Sequence, residues 1–254
     1  MLFRQYLRPE SGCASYLFGC TGKGKAVAVD VVPEFVQPML GVLALTGMRL
    51  VAVVESHTQA DHVSAGRELA EQAGAPYLAS HAAPLAFPFQ PLHEGDVIDA
   101  GNVQVTVWET PGHSDDSLAL LLTDHTRADE PWLVLTGDTL FVGDAGRPDL
   151  HGAGNAERLA GLLYASLRRL AALPDYLALY PAHFSGSTCG RGLSANPAST
   201  IGFERRHNPA LAPRERAEFV RFMLADLPEQ PVDFTRIRLL NRGLSPAEPA
   251  ASAG

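Results

Sequence analysis

Short apolar runs broken by glycine and proline fill the first half of the chain. Leu2–Leu7, Ala14–Gly19, Ala26–Val32, Leu50–Glu55, Val103–Thr110, Leu118–Thr123 and Trp132–Thr136 read as strands. Several are continuously apolar rather than alternating, which predicts strands covered on both faces. Helical spacing appears between them. Pro33–Gly47 carries apolar residues at positions 35, 36, 39, 40, 43 and 44. Ser64–Gly74 opens on an N-cap serine, places Glu68 one turn on and closes on glycine. Asn155–Leu173 has leucines at helical intervals, and Pro213–Leu224 reads as an amphipathic helix. Ser185–Asn208, rich in Gly, Ser and Asn, predicts a long loop or short helical pieces over a site rather than core. Strands mixed with helices, without strict alternation, predict sheets covered by helices.

Composition narrows this picture. The chain has 254 residues, 46% apolar and 19% charged, enough for a sizeable core. A net charge of -8 argues against nucleic acid as a partner. No apolar stretch nears the ~20 residues that span a bilayer, so no membrane association is expected. The N-terminus lacks a continuous apolar segment and does not read as a signal peptide, so a cytoplasmic location is the expectation. Cys13, Cys20 and Cys189 are an odd number, read most simply as free thiols in a reducing compartment, with a Cys13–Cys20 disulfide as the alternative. The stretch after Leu244 is rich in Pro, Ala and Ser, and 245–254 is expected to be disordered.

The candidate chemistry sits at the ends of the apolar runs. His57, Asp61 and His62 fall within six positions directly after Leu50–Val54. His113 follows Thr110-Pro111-Gly112, Asp138 follows Leu135-Thr136-Gly137, and His183 follows Tyr180-Pro181-Ala182. Imidazole and carboxylate ligate first-row metals, and strand ends hold them stiffly, so a metal site is the first expectation.

Four separated motifs, His57-Thr58-Gln59-Ala60-Asp61-His62, Gly112-His113, Gly137-Asp138 and Ala182-His183, resemble those of the metallo-β-lactamase superfamily over roughly residues 1–210. Within it the chain resembles the persulfide dioxygenase and glyoxalase II branch, and Phe141–Leu150, Gly186–Gly190 and Ser199–Arg206 resemble the bacterial persulfide dioxygenases and related rhodanese-linked proteins. The resemblance implies an α/β fold, an αββα sandwich of two mixed sheets flanked by helices, as a single domain over 1–244. It departs at Gln59, where the pattern has histidine. A dinuclear zinc hydrolase would need His57, position 59 and His113 on one ion, Asp61, His62 and His183 on the other, and Asp138 between them. A neutral amide is a poor zinc ligand.

The persulfide dioxygenases use less: one Fe(II) on two histidines and a carboxylate, matching His57, His113 and Asp138. Open positions then remain for a substrate sulfur and O₂. Gln59, Asp61, His62 and His183 would surround those ligands or hold an alternative metal. The implied activity is oxidation of a low-molecular-weight thiol persulfide, such as glutathione persulfide, to sulfite and thiol. The alternatives are a zinc hydroxyacylglutathione hydrolase and a non-catalytic sulfur binder. Arg147, Arg191, Arg205 and Arg206 are candidate clamps for substrate carboxylates. Arg147 has a second reading as the ion-pair partner of Asp144 or Asp149, and Arg205-Arg206 as a solvated surface pair. Cys189 is a candidate reactive thiol if a nearby arginine lowers its pKa, or else a small packed residue. A homodimer is expected by family analogy.

Overall fold

The computed structural model describes residues 1–150, 153–225, 227, 229–230 and 233–245. The tail expected to be disordered lies outside the described residues from position 246 onward.

Two six-stranded sheets form the centre. The first runs in chain order: β1 (Leu2–Arg8), β2 (Cys13–Cys20), β3 (Lys25–Val29), β4 (Arg49–Val54), β5 (Tyr77–Ser80) and β6 (Gln90–Leu92). Its first three strands pair antiparallel and the rest parallel. The second holds β7 (Val97–Ala100), β8 (Val103–Glu109), β9 (Leu118–Asp124), β10 (Leu133–Gly137), β11 (Ala178–Pro181) and β12 (Ser199–Thr200). It is antiparallel except between β10 and β11.

Alternation along each strand divides side chains between two cores. Tyr16, Phe18, Val29 and Val54 meet Val105, Val107, Leu120, Leu122 and Leu135 between the sheets. Leu17, Ala28 and Val53 lie in a second cluster with Met39, Leu43 and Leu69 of α1 (Val36–Thr46) and α2 (Gly66–Ala73). Ala119, Leu121, Val134 and Leu179 cluster with Leu163, Leu167, Leu170 and Phe219 of α3 (Ala156–Ala171) and α5 (Arg216–Leu224). Both faces of each sheet are thus covered, which is why the strands read as unbroken apolar runs. The result is the expected αββα sandwich. Two further helices are α4 (Ile201–His207) and α6 (Phe234–Asn241).

Some boundaries differ from expectation. β3 stops at Val29 rather than Val32, because Asp30 takes a left-handed φ of 51° and turns its carboxylate to accept from the Ser56 N–H at 2.7 Å. Ser64 does not cap α2, which begins at Gly66. Its hydroxyl accepts from the Gly66 N–H and donates to buried Glu55. The 185–208 segment is irregular through 198, as expected, and then enters β12 and α4. Cys189, Ile201 and Glu204 within it are nonetheless buried.

Candidate metal centre

β4, β8, β10 and β11 each run out at one edge of the sandwich, and each is followed within a few residues by a candidate ligand. His57, His113 and Asp138 come together there, with one donor atom from each lying within 4.8 Å of the others. His57 Nε2 is 3.7 Å and His113 Nε2 3.6 Å from Asp138 Oδ2. Two donors each ~2.1 Å from one ion stand ~3.0–3.4 Å apart, so small side-chain movements bring this set onto a cation. All three side chains are almost completely buried, and His57 Nε2 and Asp138 Oδ2 have no hydrogen-bond partner. Buried polar atoms are rarely left unsatisfied. Orphaned atoms that converge from a two-imidazole, one-carboxylate set fit a metal ion.

The surroundings aim these donors. The His113 Nδ1–H donates to the Arg147 carbonyl at 3.0 Å, which leaves the Nε2 lone pair facing Asp138. His57 Nδ1 is engaged by the Ser56 hydroxyl at 3.0 Å. Burial pushes His57 down to about 4 against the pull of Asp138, so its ring is neutral and able to ligate at neutral pH. Burial opposes ionisation of Asp138, but the charge and hydrogen bond of His183 hold it well below the usual carboxylate range. Gly112 is required by packing as well as conformation. It adopts φ +149°, and a Cβ there would stand 2.3 Å from Leu163 Cα of α3. The backbone at Gly146 passes equally close, and a Cβ would meet the Asp138 carbonyl and the His113 ring.

A second cluster adjoins the first. Asp61 lies between two imidazoles, with Oδ1 2.9 Å from His62 Nδ1 and Oδ2 2.9 Å from His183 Nε2. His183 Nδ1 reaches Asp138 Oδ1 at 2.6 Å. The Asp138 carboxylate is therefore divided, one oxygen towards His183 and the other towards His57 and His113. Burial would lower His62, yet Asp61 raises it to about 10, and His183 is likewise held well above the usual imidazole range. Protonated rings can hold the charge that a second cation would otherwise carry. Cys13 joins this group, its Sγ 3.7 Å from His62 Nδ1. Burial opposes ionisation of Cys13, but hydrogen bonds with His183 and His62 bring it down to about 7.

Gln59 is buried, its Nε2 donates to Asp30 Oδ1 at 3.3 Å, and its Oε1 has no hydrogen-bond partner in a cavity that His57, Glu55 and Asn241 also line.

The four arginines are each paired within the chain. Arg147 is 1% exposed and grips Asp149 through Nε at 2.8 Å and Nη2 at 2.7 Å. Arg191 binds Asp144 at 2.9 Å and stacks over Phe222. Arg205 and Arg206, at the end of α4, both pair with Asp175. A clamp role for any of them would have to displace that partner. Cys189 is buried within 4.8 Å of the Asp138 and His183 donors, but burial and the Asp61 charge raise its pKa well above the usual thiol value. The expected arginine-lowered thiol is not found there, because the Arg191 guanidinium is committed to Asp144.

Sequence reasoning passed over several supporting residues. Asp116 accepts from the Thr58 N–H and hydroxyl at 2.8 and 2.5 Å. Asp30 holds Ser56, Cys13 was seen only as a free or disulfide cysteine, and Asn241 contacts the ligand loop from the far end of the chain. The three cysteines are free.

A four-layer sandwich with a histidine and carboxylate cluster at one sheet edge defines a class of metal-dependent enzymes. The chain belongs to the metallo-beta-lactamase superfamily, whose family profile matches residues 8–183. A mitochondrial persulfide dioxygenase ETHE1 of Bos taurus is 30% identical over 239 residues, covering 92% of this chain and 85% of its own length. A hydroxyacylglutathione hydrolase of Rhodopseudomonas palustris (strain BisB18) is 29% identical over 242 residues, covering 94% of this chain and 85% of its own. The crystal structure of ETHE1 from Myxococcus xanthus matches with a TM-score of 0.81 and 32% identity, over 95% of this chain and 98% of that one. Among the described residues, no helix is long and apolar enough to cross a membrane.

Proposed function

We propose that the protein is an iron-dependent persulfide dioxygenase. It oxidises a low-molecular-weight thiol persulfide of the glutathione persulfide type with O₂ and water, yielding sulfite and the free thiol. The observation that carries this reading is the His57, His113 and Asp138 cluster, complete without position 59. Two imidazoles and one carboxylate on one edge form the facial donor set of non-haem Fe(II) oxygenases. Bound iron would supply the redox step that passes four electrons from the sulfane sulfur to O₂.

The chain's own residues do the rest. His113 is held in one tautomer by the Arg147 carbonyl, and His57 is kept neutral by burial. Asp138 is kept anionic by the charge and hydrogen bond of His183, whose imidazolium offsets charge behind it. Burial of all three donors limits water at the reacting sulfur. Three free cysteines suit a reducing, cytoplasmic setting.

A zinc hydroxyacylglutathione hydrolase is the second reading. The Cys13, Asp61, His62 and His183 cluster favours it, since those donors also lie within 4.8 Å of one another and could take a second ion. The two readings separate in one assay pair. With anaerobically purified, iron-loaded protein, glutathione persulfide should drive O₂ uptake with sulfite appearing one for one. S-lactoylglutathione hydrolysis by zinc-loaded protein, with no O₂ uptake from the iron form, would replace the first reading with the second.

A further inference from the structure

We infer that Asn241, on the C-terminal helix α6, is a positioning residue for the ligand loop of the metal centre. The loop from Gln59 to Ser64 carries Asp61 and His62 and continues directly from His57. Among the described residues, no backbone–backbone hydrogen bond involves any position from Gln59 through Ser64. The loop must therefore be fixed by side chains or water. Its entry is fixed from within the sandwich, by Asp30 at the Ser56 N–H and by Asp116 at Thr58. From Gln59 onward, among the described residues, the side-chain hydrogen bonds to the loop's backbone come from one amide. Asn241 Nδ2 donates to the Gln59 carbonyl at 2.9 Å and to the His62 carbonyl at 2.8 Å. Asn241 Oδ1 accepts from the Ser64 N–H at 2.9 Å. Both donors and the acceptor of a single side chain thus span the loop, from residues 177 to 182 positions away in sequence.

The helix that presents Asn241 is anchored elsewhere. The Arg242 guanidinium donates to the Pro84 carbonyl at 2.9 Å, and the Ala86 N–H donates to the Arg242 carbonyl at 2.8 Å. α6 is therefore docked on the 84–86 segment, and the bond from the Ala86 N–H to the Arg242 carbonyl keeps it there when the guanidinium is removed. The reach of Asn241 through the loop is the orientation of His62 and Asp61, and through Asp61 that of His183 and Asp138. The inference rests on the metal reading of the cluster, but not on which reaction is catalysed.

Three variants test it: Asn241→Ala, Asn241→Asp and Arg242→Ala. Asp fills the same volume but sets a carboxylate against two carbonyls. Arg242→Ala removes the neighbouring anchor without touching the loop. The readouts are the rate of metal loss to a chelator from the iron-loaded protein, and amide hydrogen exchange over 59–64 in metal-free protein. Asn241→Ala and Asn241→Asp should both release metal ~10-fold faster, the order seen for residues that orient metal ligands, and both should exchange faster over 59–64. Arg242→Ala should keep the wild-type release rate even where its melting temperature falls. Wild-type release and exchange in Asn241→Ala would overturn the inference. So would wild-type behaviour of Asn241→Asp, which would mean that packing alone matters, or equal acceleration by Arg242→Ala. If the wild-type protein holds no metal, the metal reading fails, while the exchange comparison still decides whether Asn241 fixes the loop.

Discussion

Replacing Arg147 with methionine separates a structural arginine from a substrate clamp. Its guanidinium is 1% exposed and holds Asp149 with two parallel hydrogen bonds, while the Asp149 side chain is 13% exposed. Removing one partner of a buried ion pair costs ~3–5 kcal/mol, because the other charge is left without compensation. Asp149 can recover some water, and methionine refills the volume of the arginine stem, so the low end, ~3 kcal/mol, is expected. At ~2–4 °C per kcal/mol for a chain of this size, the melting temperature should fall by ~6–12 °C. The Arg147 backbone carbonyl that orients His113 survives the substitution. KM for glutathione persulfide should therefore stay within about twofold of wild type, and the metal content should be unchanged. The pH dependence has a definite sign. Burial opposes ionisation of Asp149, but Arg147 holds its pKa below the usual range. The pair therefore stabilises the fold above the unfolded carboxylate pKa of ~3.9 and loses that stabilisation as pH falls through the lower folded value. The gap between wild type and Arg147→Met should narrow below pH ~4. Urea denaturation and steady-state kinetics supply both numbers. A KM raised tenfold or more with unchanged stability would refute the reasoning and make Arg147 a clamp.

Two further predictions concern the cluster and its frame. In metal-free protein, His62 has a folded pKa of about 10. Its stabilisation is complete below the unfolded imidazole value of ~6.5 and is lost as pH rises toward the folded value, at up to ~1.4 kcal/mol per pH unit. Cys13, lowered to about 7, works in the opposite sense between that pH and its ordinary thiol value. Cys13→Ser should therefore lose stability with rising pH more steeply than wild type between ~7 and 8.5, measured by denaturation with chelator present; equal slopes would contradict the assigned pairing. Gly112→Ala forces a Cβ onto the α3 backbone at Leu163 and should cost about 3 kcal/mol or more while lowering metal content. Wild-type stability in that variant would show that the close approach is relaxed in solution.

The residues most legible in the sequence were those whose place depends on local pattern. β2, β3, β4, β9 and β10 are buried on both faces, so their runs stand out, and His57 and Asp138 follow two of them directly. Elements of two to four residues, such as β5, β6, β7, β11 and β12, are too short to show a period, and β6 and β7 are half exposed. Arg147 shows a different limit. Its partner lies two positions away and was considered, but only the packing around it reveals that the pair is buried. Asn241 shows a third. An amide side chain has no distinctive spacing, and its role arises from contacts across 177 to 182 positions. The sulfur chemistry of Cys13 and Cys189 depended likewise on three-dimensional neighbours, and these reversed which thiol is the more readily ionised.

Metal content per chain tests the centre most directly. Protein purified without oxygen and analysed by mass spectrometry should carry one iron per chain. Gln59→Ala should carry the same, since the Gln59 amide nitrogen is engaged by Asp30 and the His57, His113 and Asp138 set is complete without position 59. Two ions per chain in the wild type, falling to one in Gln59→Ala, would contradict a single cation held by His57, His113 and Asp138.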